Sequence, residues 1–256
     1  MPPNTHPCPI CGSSAVPHDT VDFNKSCEEQ KGVHLPTAGI SIQYLLCPSC
    51  GFCFAPSFAA WSLDDFAEKI YNADYAVVDP DYADDRPTQN AGTLRALFNG
   101  LIESRRHLDY GGGNGRLAEI LRGAGWNSLS YDPFVDRDMD VRSLGKFELI
   151  TAFEVFEHVP DVPSLLADFT TLLAPEGLIL FTTLISDGMI GAGQPLTWWY
   201  AAPRNGHISL FSRQSLDVLA ASHGFNHGSF SSLFHAYFKQ LPPWASRKLN
   251  INLGLK

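Results

Sequence analysis

The chain has 256 residues, 18 of them basic and 27 acidic, for a formal charge of −9, with 45% hydrophobic and 18% charged residues. That composition is globular and excludes a disordered chain. No apolar run reaches the roughly 18 residues that a membrane-spanning helix needs, and the acidic balance disfavours nucleic acid and anionic membranes as partners, because both select basic surfaces.

The six cysteines, Cys8, Cys11, Cys27, Cys47, Cys50 and Cys53, all fall near the start of the chain. A disulfide-stapled secreted fold would spread them out. The opening residues also lack the basic and apolar regions of a secretory signal, so the expectation is a metal module in a cytoplasmic protein. Cys8-Pro9-Ile10-Cys11-Gly12 and Cys47-Pro48-Ser49-Cys50-Gly51 are two CxxC-Gly knuckles. Two intervening residues let both thiolates of a knuckle reach one ion, and four thiolates in tetrahedral geometry select zinc. Cys27 and Cys53 are left over as buried thiols, with His6, His18 and His34 as spare ligands. Between the knuckles, Ile40–Leu46 is β-prone.

Ser62 begins a helix, with Asp65 three residues on and Leu63, Phe66, Ala67, Ile70 and Tyr71 at helical spacing. Residues 72–89 are turn-rich, aromatic and acidic, and read as a connecting or lid segment. A second helix is predicted over about 90–104, with Leu94, Leu97, Phe98, Leu101 and Ile102 on one stripe. From His107 onward strands and helices alternate. Strand His107–Tyr110 runs into the glycine turn Gly111-Gly112-Gly113-Asn114-Gly115 and a helix through Leu117, Ile120, Leu121 and Ala124. Strand Ser128–Tyr131 ends at Asp132-Pro133, and a third strand is expected to end at Asp140-Val141. Phe147–Phe153 is a buried strand, 161–173 a helix, Leu178–Leu184 a buried strand and 212–223 a helix capped by Ser212. Phe225–Phe230 and Phe234–Phe238 close the pattern as an antiparallel hairpin. Such alternation indicates a parallel α/β sheet.

A glycine turn between strand and helix lets backbone approach a ligand beside free N–H groups. At the end of the next strand, Asp132 is either a turn residue before Pro133 or the acceptor of both ribose hydroxyls of an adenosine. A dinucleotide fingerprint spaces its glycines GxGxxG, whereas here they fall GxGxG, a poorer match.

The run LDYGGGNGRLAEIL, then YDPF, FELITAFEVFEHVPD and LLAPEGLILFTT, resembles class I S-adenosylmethionine-dependent methyltransferases over about residues 106–240. The resemblance implies a Rossmann-like seven-stranded sheet with an antiparallel terminal hairpin. It places Asp109, Gly111 and Gly113 at the methionine part, Asp132 at the ribose, Asp140 and Val141 at the adenine, and Phe153 and Glu154 beside the sulfonium. Tyr71, Tyr75, Tyr82 and Arg86 would close over the cofactor, with Arg86 either on the methionine carboxylate or in a surface salt bridge. The cysteine knuckles resemble a zinc ribbon, as found ahead of methyltransferase domains in ribosomal-RNA guanine methyltransferases and in sugar C-methyltransferases.

Glu154, Glu157 and His158 follow the Phe147–Phe153 strand, and His207 comes much later. Their spacing resembles small-RNA 2′-O-methyltransferases and ubiquinone-pathway O-methyltransferases, which would make them ligands of a second, divalent metal ion. Without metal, the same residues pack or hydrogen bond locally, or His158 or His207 serves as the base. Trp198-Trp199-Tyr200 are either core or, if exposed, a stacking surface for the acceptor.

The reading is therefore a zinc-ribbon-like module (1–60), a helical lid or linker (61–105) and a class I methyltransferase domain (106–256). The expected activity is methylation of an oxygen of a small molecule or glycan. The alternatives are an RNA methyltransferase with a metal-assisted Glu/His site and a non-catalytic zinc-ribbon adaptor.

Overall fold

The computed structural model describes residues 6–98, 100, 102 and 104–246. Leu101, placed on the stripe of the second predicted helix, lies outside the described residues. In chain order the first elements are β1 (His6–Pro7), β2 (Ser14–Asp22), β3 (Ser41–Leu46), β4 (Cys53–Phe54), α1 (Leu63–Lys69), α2 (Tyr75–Val78) and α3 (Asp85–Phe98). Next come β5 (Arg106–Tyr110), α4 (Arg116–Gly123), β6 (Asn127–Tyr131), β7 (Phe147–Phe153), α5 (Val162–Leu172) and β8 (Leu173–Thr182). The last are β9 (Ser209–Leu210), α6 (Arg213–Ser222), β10 (Asn226–Ser229), β11 (Phe234–Phe238) and α7 (Pro243–Ser246). The chain divides into two compact units. The first draws on the described residues of Met1–Pro80, Phe156–Pro163 and Leu184–Leu219, the second on those of Asp81–Val155, Ser164–Thr183 and Ala220–Lys256. Among the described residues no helix is long and apolar enough to cross a membrane.

The first unit carries an antiparallel sheet in the order β1-β2-β3-β4-β9. A bulge interrupts the β2–β3 ladder between Pro17 and Asp19, where proline has no N–H to offer. Helix α1 begins as its sequence predicts. The Ser62 hydroxyl accepts from Asp65 N, and the Asp65 carboxylate accepts from Ser62 N in return. This reciprocal box satisfies two of the donors that a helix start leaves open.

The second unit carries a six-stranded sheet in the order β10-β11-β8-β7-β5-β6. Strands β6, β5, β7 and β8 are parallel; β11 and β10 run antiparallel as the terminal hairpin. Parallel strands are covered on both faces, and β7 is buried at every position except Glu148. The core joins Leu94 and Phe98 of α3, Leu117 and Leu121 of α4, and Leu149 and Leu180 of the sheet. Chain order reverses at β5, which has β6 on one side and β7 on the other. In open α/β sheets ligands bind outside the carboxyl ends of the strands at such a switch point.

Four details depart from the sequence reading. The described sheet has six strands rather than seven. Where a strand was expected to end at Asp140-Val141, Asp140 instead caps a 3-10 turn, Val141–Leu144, and accepts from Arg142 N. The preceding residues 132–139 fold on themselves: Asp136 N and Val135 N donate to the Asp132 carbonyl, and the Asp136 carboxylate accepts from Asp132 N. Short acidic side chains compete in this way with a β ladder. Helix α3 starts at Asp85 rather than near 90, because Pro87 falls in its first turn, where its missing N–H has no helical partner to lose. Strand β8 begins at Leu173 rather than Leu178, and its ladder with β7 jumps from Leu173 to Leu178, so residues 174–177 form a bulge inside it.

Candidate functional site

In the second unit the site is built on the ends of β5, β6 and β7. Asp109, on β5, is buried at 4% exposure. It is paired across the ladder with Ser130 of β6 and Thr151 of β7, so all three side chains share one face. The Thr151 hydroxyl donates to Asp109 Oδ1 at 2.9 Å. Burial pushes the Asp109 carboxyl up to about 7; the Thr151 hydrogen bond opposes this and the nearby Asp132 charge adds to it. The glycine turn that follows has no room for side chains at two positions. A Cβ on Gly111 would stand 2.5 Å from Val155 Cγ2, and one on Gly112 would stand 2.3 Å from Ser130 Oγ and 2.6 Å from Asp109 Oδ2. Gly113, at φ +55°, faces open space instead, leaving bare backbone for a ligand to approach.

Asp132, nearly buried, is tied to this turn: its Oδ2 accepts from Gly113 N at 2.9 Å and its Oδ1 from Phe134 N at 2.8 Å. A carboxylate has about four acceptor positions, so two such bonds orient it and leave capacity for two hydroxyl donors. The structure thus brings Asp109, Gly111, Gly113 and Asp132 together. Val141 is buried and Asp140 exposed on their separate 3-10 turn, and Arg86 is half-buried in the first turn of α3. Phe153 ends β7 against Phe234, with ring centroids 5.5 Å apart.

Glu154 takes a left-handed backbone, φ +53°, the one non-glycine residue to do so among those described. Such a conformation costs about 1–3 kcal/mol and persists where surroundings enforce it. Here Thr182 enforces it, its Oγ1 accepting from Glu154 N at 2.9 Å and donating to Glu154 Oε1 at 2.8 Å. The Glu154 carboxylate is therefore held by Thr182. The metal-competent group of carboxylate and imidazoles among the described residues consists of Glu157, His158 and His207, without it.

That group belongs to the first unit. Its ligand atoms lie within 4.8 Å of one another, and the two imidazole centroids are 4.8 Å apart. Glu157 is fully buried, and its Oε1 accepts from the Tyr200 hydroxyl at 2.6 Å. His207 Nδ1 lies 2.9 Å from the Tyr200 carbonyl, with Cys27 Sγ at 3.6 Å. A carbonyl only accepts, so Nδ1 carries the proton and the neutral ring keeps its lone pair on Nε2. Gly206, at φ +86°, allows the close approach: a Cβ there would stand 3.1 Å from both His158 Nδ1 and Tyr71 Oη. Two imidazoles and one carboxylate in this arrangement can take up a proton or hold a divalent ion. Sequence reasoning named Tyr200 only as one of three aromatic residues. Trp198 and Tyr200 are buried, so they form core rather than a stacking surface.

The second feature of the first unit is the cysteine group. Cys8, Cys11, Cys47 and Cys50 converge within 4.8 Å, with Sγ–Sγ separations of 3.7 Å for Cys8–Cys50 and 3.4 Å for Cys11–Cys47. Tetrahedral zinc with Zn–S bonds of about 2.3 Å sets sulfurs about 3.8 Å apart, so the donor set fits. The knuckles also match each other in backbone. Cys8 N donates to Ser13 O and Gly12 N to Cys8 O, and Cys47 N donates to Phe52 O and Gly51 N to Cys47 O. Cys53 stands apart as a buried thiol pushed up by burial, as expected; Cys27 is half-buried beside His207.

Residues 82–227 match the family described as a methyltransferase domain. The ubiquinone biosynthesis O-methyltransferase of Methylococcus capsulatus is 31% identical over 32% of this chain and 45% of its own length. That of Colwellia psychrerythraea is 37% identical over 22% of this chain and 23% of its own. The chain therefore spans less than half the length of these relatives. Among solved structures, a Burkholderia thailandensis 1,6-didemethyltoxoflavin-N1-methyltransferase superposes with a TM-score of 0.49 at 17% identity, covering 80% of this chain and 96% of that one. The family match takes in more than half of the sequence, and this chain belongs to the family described as a methyltransferase domain.

Proposed function

We propose that this enzyme methylates an oxygen of a small-molecule or glycan acceptor, with His207 or His158 as the base and Glu157 supporting it. The observation that carries the reading is the Glu157–His158–His207 group, buried at Glu157 and His207 and half-buried at His158, in which the Tyr200 carbonyl fixes the tautomer that leaves Nε2 of His207 able to accept a proton. Bound S-adenosylmethionine supplies an activated methyl group; an alcohol or phenol acceptor must lose its proton as oxygen takes that methyl. Asp132 would hold the ribose hydroxyls, the backbone at Gly111 and Gly113 would face the methionine part with Asp109 beneath it, and Arg86 would meet the methionine carboxylate. Asp140 and Val141 would flank the adenine, Phe153 and Glu154 the sulfonium. The four cysteines would hold a structural zinc ion.

A second reading rests on the same donor set, which suits a divalent ion that orients the acceptor oxygens. The experiment that tests both is a screen of phenol, catechol and sugar acceptors with labelled cofactor, run with and without chelator and repeated with His207→Ala. Label transferred to oxygen and lost in His207→Ala supports the proposal, and chelator sensitivity of the wild type selects the metal reading. Transfer to nitrogen or carbon, or to RNA, contradicts it.

A further inference from the structure

Beneath the glycine turn runs a row of polar side chains that methyl transfer itself does not call for. His107 of β5 is fully buried, two residues before Asp109 and on the same face. Its Nδ1 lies 2.7 Å from Ser128 Oγ and its Nε2 2.9 Å from Thr151 Oγ1. Thr151 Oγ1 in turn lies 2.9 Å from Asp109 Oδ1. Ser128 is the ladder partner of His107, and Thr151 that of Asp109, so the pleat places all four groups in one line.

The direction of this line follows from counting protons. An ionised Asp109 only accepts, so the single Thr151 hydroxyl proton goes to it. Thr151 must then accept from His107 Nε2–H. Nδ1 is left without a proton, and the Ser128 hydroxyl donates to it. Burial keeps the imidazole neutral, its pKa lowered to about 3, which this arrangement requires. Every member is satisfied, and each bond points toward the carboxylate. Such a chain is stronger than its separate bonds in a medium of low polarity.

We infer that His107, acting through Thr151, is a positioning residue that holds the Asp109 carboxylate in place for S-adenosylmethionine. The inference rests on Asp109 being a cofactor residue. Two observations favour it over simple core filling. Asp109 Oδ2 lies where a side chain on Gly112 would be, so the carboxylate packs directly under the turn. A buried imidazole is also a poor core filler: leaving its nitrogens unpaired costs more than an apolar side chain would. The charged and polar groups facing Asp109 are His107 on its own strand, Thr151 from β7, and Ser130 and Asp132 from β6 and its end.

The test is calorimetric titration of S-adenosylhomocysteine from pH 5.5 to 9 into wild type, Thr151→Val, Thr151→Ser, His107→Leu and Asp109→Asn. Thr151→Val is nearly isosteric and keeps the test available should His107→Leu not fold. A hydrogen bond to a charged group is worth enough that Thr151→Val should bind about tenfold more weakly at pH 7.5. The pH at which binding reaches half its maximum should rise by about one unit, because the carboxyl loses a bond that favours its ionised form. His107→Leu should move both readouts in the same direction, and Thr151→Ser should restore them. Wild-type affinity and pH profile in both Thr151→Val and His107→Leu, beside weakened Asp109→Asn, would overturn the inference. So would uniform weakening with no displacement along the pH axis. Wild-type binding by Asp109→Asn would instead remove Asp109 from the cofactor site, and the inference with it.

Discussion

The two units are held together by different physics. The second closes on a continuous apolar core in which α3 and α4 pack with β7 and β8. The first has short strands, three of its five having only two residues each, and places four thiols at one point. The first unit also buries aromatic side chains such as Tyr44, Phe52, Phe58 and Phe211, so metal ligation at the knuckles would add to that core, whereas the parallel sheet relies on packing alone. The polar groups differ in the same way. In the second unit they line up under a glycine turn; in the first they cluster around a buried carboxylate.

Metal removal should separate the units most sharply. Structural zinc contributes on the order of 10 kcal/mol to small metal modules. Stripping it with a strong chelator, or replacing Cys8 and Cys50 by serine, should abolish hydrogen-exchange protection in β2 and β3 while β5, β7 and β8 stay protected. Equal loss in both units would break the contrast, and elemental analysis should give one zinc per chain. Next in size, His207→Ala should lower turnover by about a hundredfold, as loss of a general base does, with affinity for S-adenosylhomocysteine unchanged. A parallel fall in affinity would mean that the first-unit cluster holds cofactor rather than acceptor.

Asp109→Asn probes the second unit in the opposite direction. The Asp109 carboxyl titrates near 7 in the fold against an ordinary value of 3.8. A raised pKa contributes stability that is fully present below the unfolded value and is lost as pH rises through the folded one. The cofactor-free protein should therefore lose stability between about pH 4 and pH 8, and Asp109→Asn should recover about 2–4 kcal/mol of it at pH 8 and almost none at pH 4. Thermal unfolding at the two pH values reads this directly, and no gain at pH 8 would show that the carboxylate is not strained by burial. The smallest effect belongs to Ser62→Ala, which removes the cap of α1 and should cost about 1 kcal/mol in the first unit alone.

Much of the second unit was legible because its signals are local. Phe147–Phe153 is apolar at nearly every position and became a strand with those bounds, and Ser62 with Asp65 carries its cap in the residues themselves. The knuckles were legible for the same reason, since each pair of ligands sits within one short loop. What escaped depends on pairing between distant strands. Nothing near His107 announces Ser128 or Thr151, which reach it only through ladder register. Its place two residues before Asp109 was the one available signal, because alternate residues of a strand share a face. Tyr200 was missed as an organiser of Glu157 and His207 for a similar reason: its hydroxyl crosses to a residue far away in sequence. Among the described residues, the segment before Asp140 forms turns where a strand was expected, because its acidic side chains bond to nearby backbone.

The central claim is that the glycine turn and Asp132 cradle the adenosyl cofactor. Titrating S-adenosylhomocysteine into wild type and Asp132→Ala at one pH tests it most directly. Two hydroxyl bonds to a carboxylate are worth enough that the variant should bind at least a hundredfold more weakly while still unfolding cooperatively, at a somewhat lower temperature because Gly113 N and Phe134 N lose their acceptor. Equal affinity in the two proteins would contradict the account.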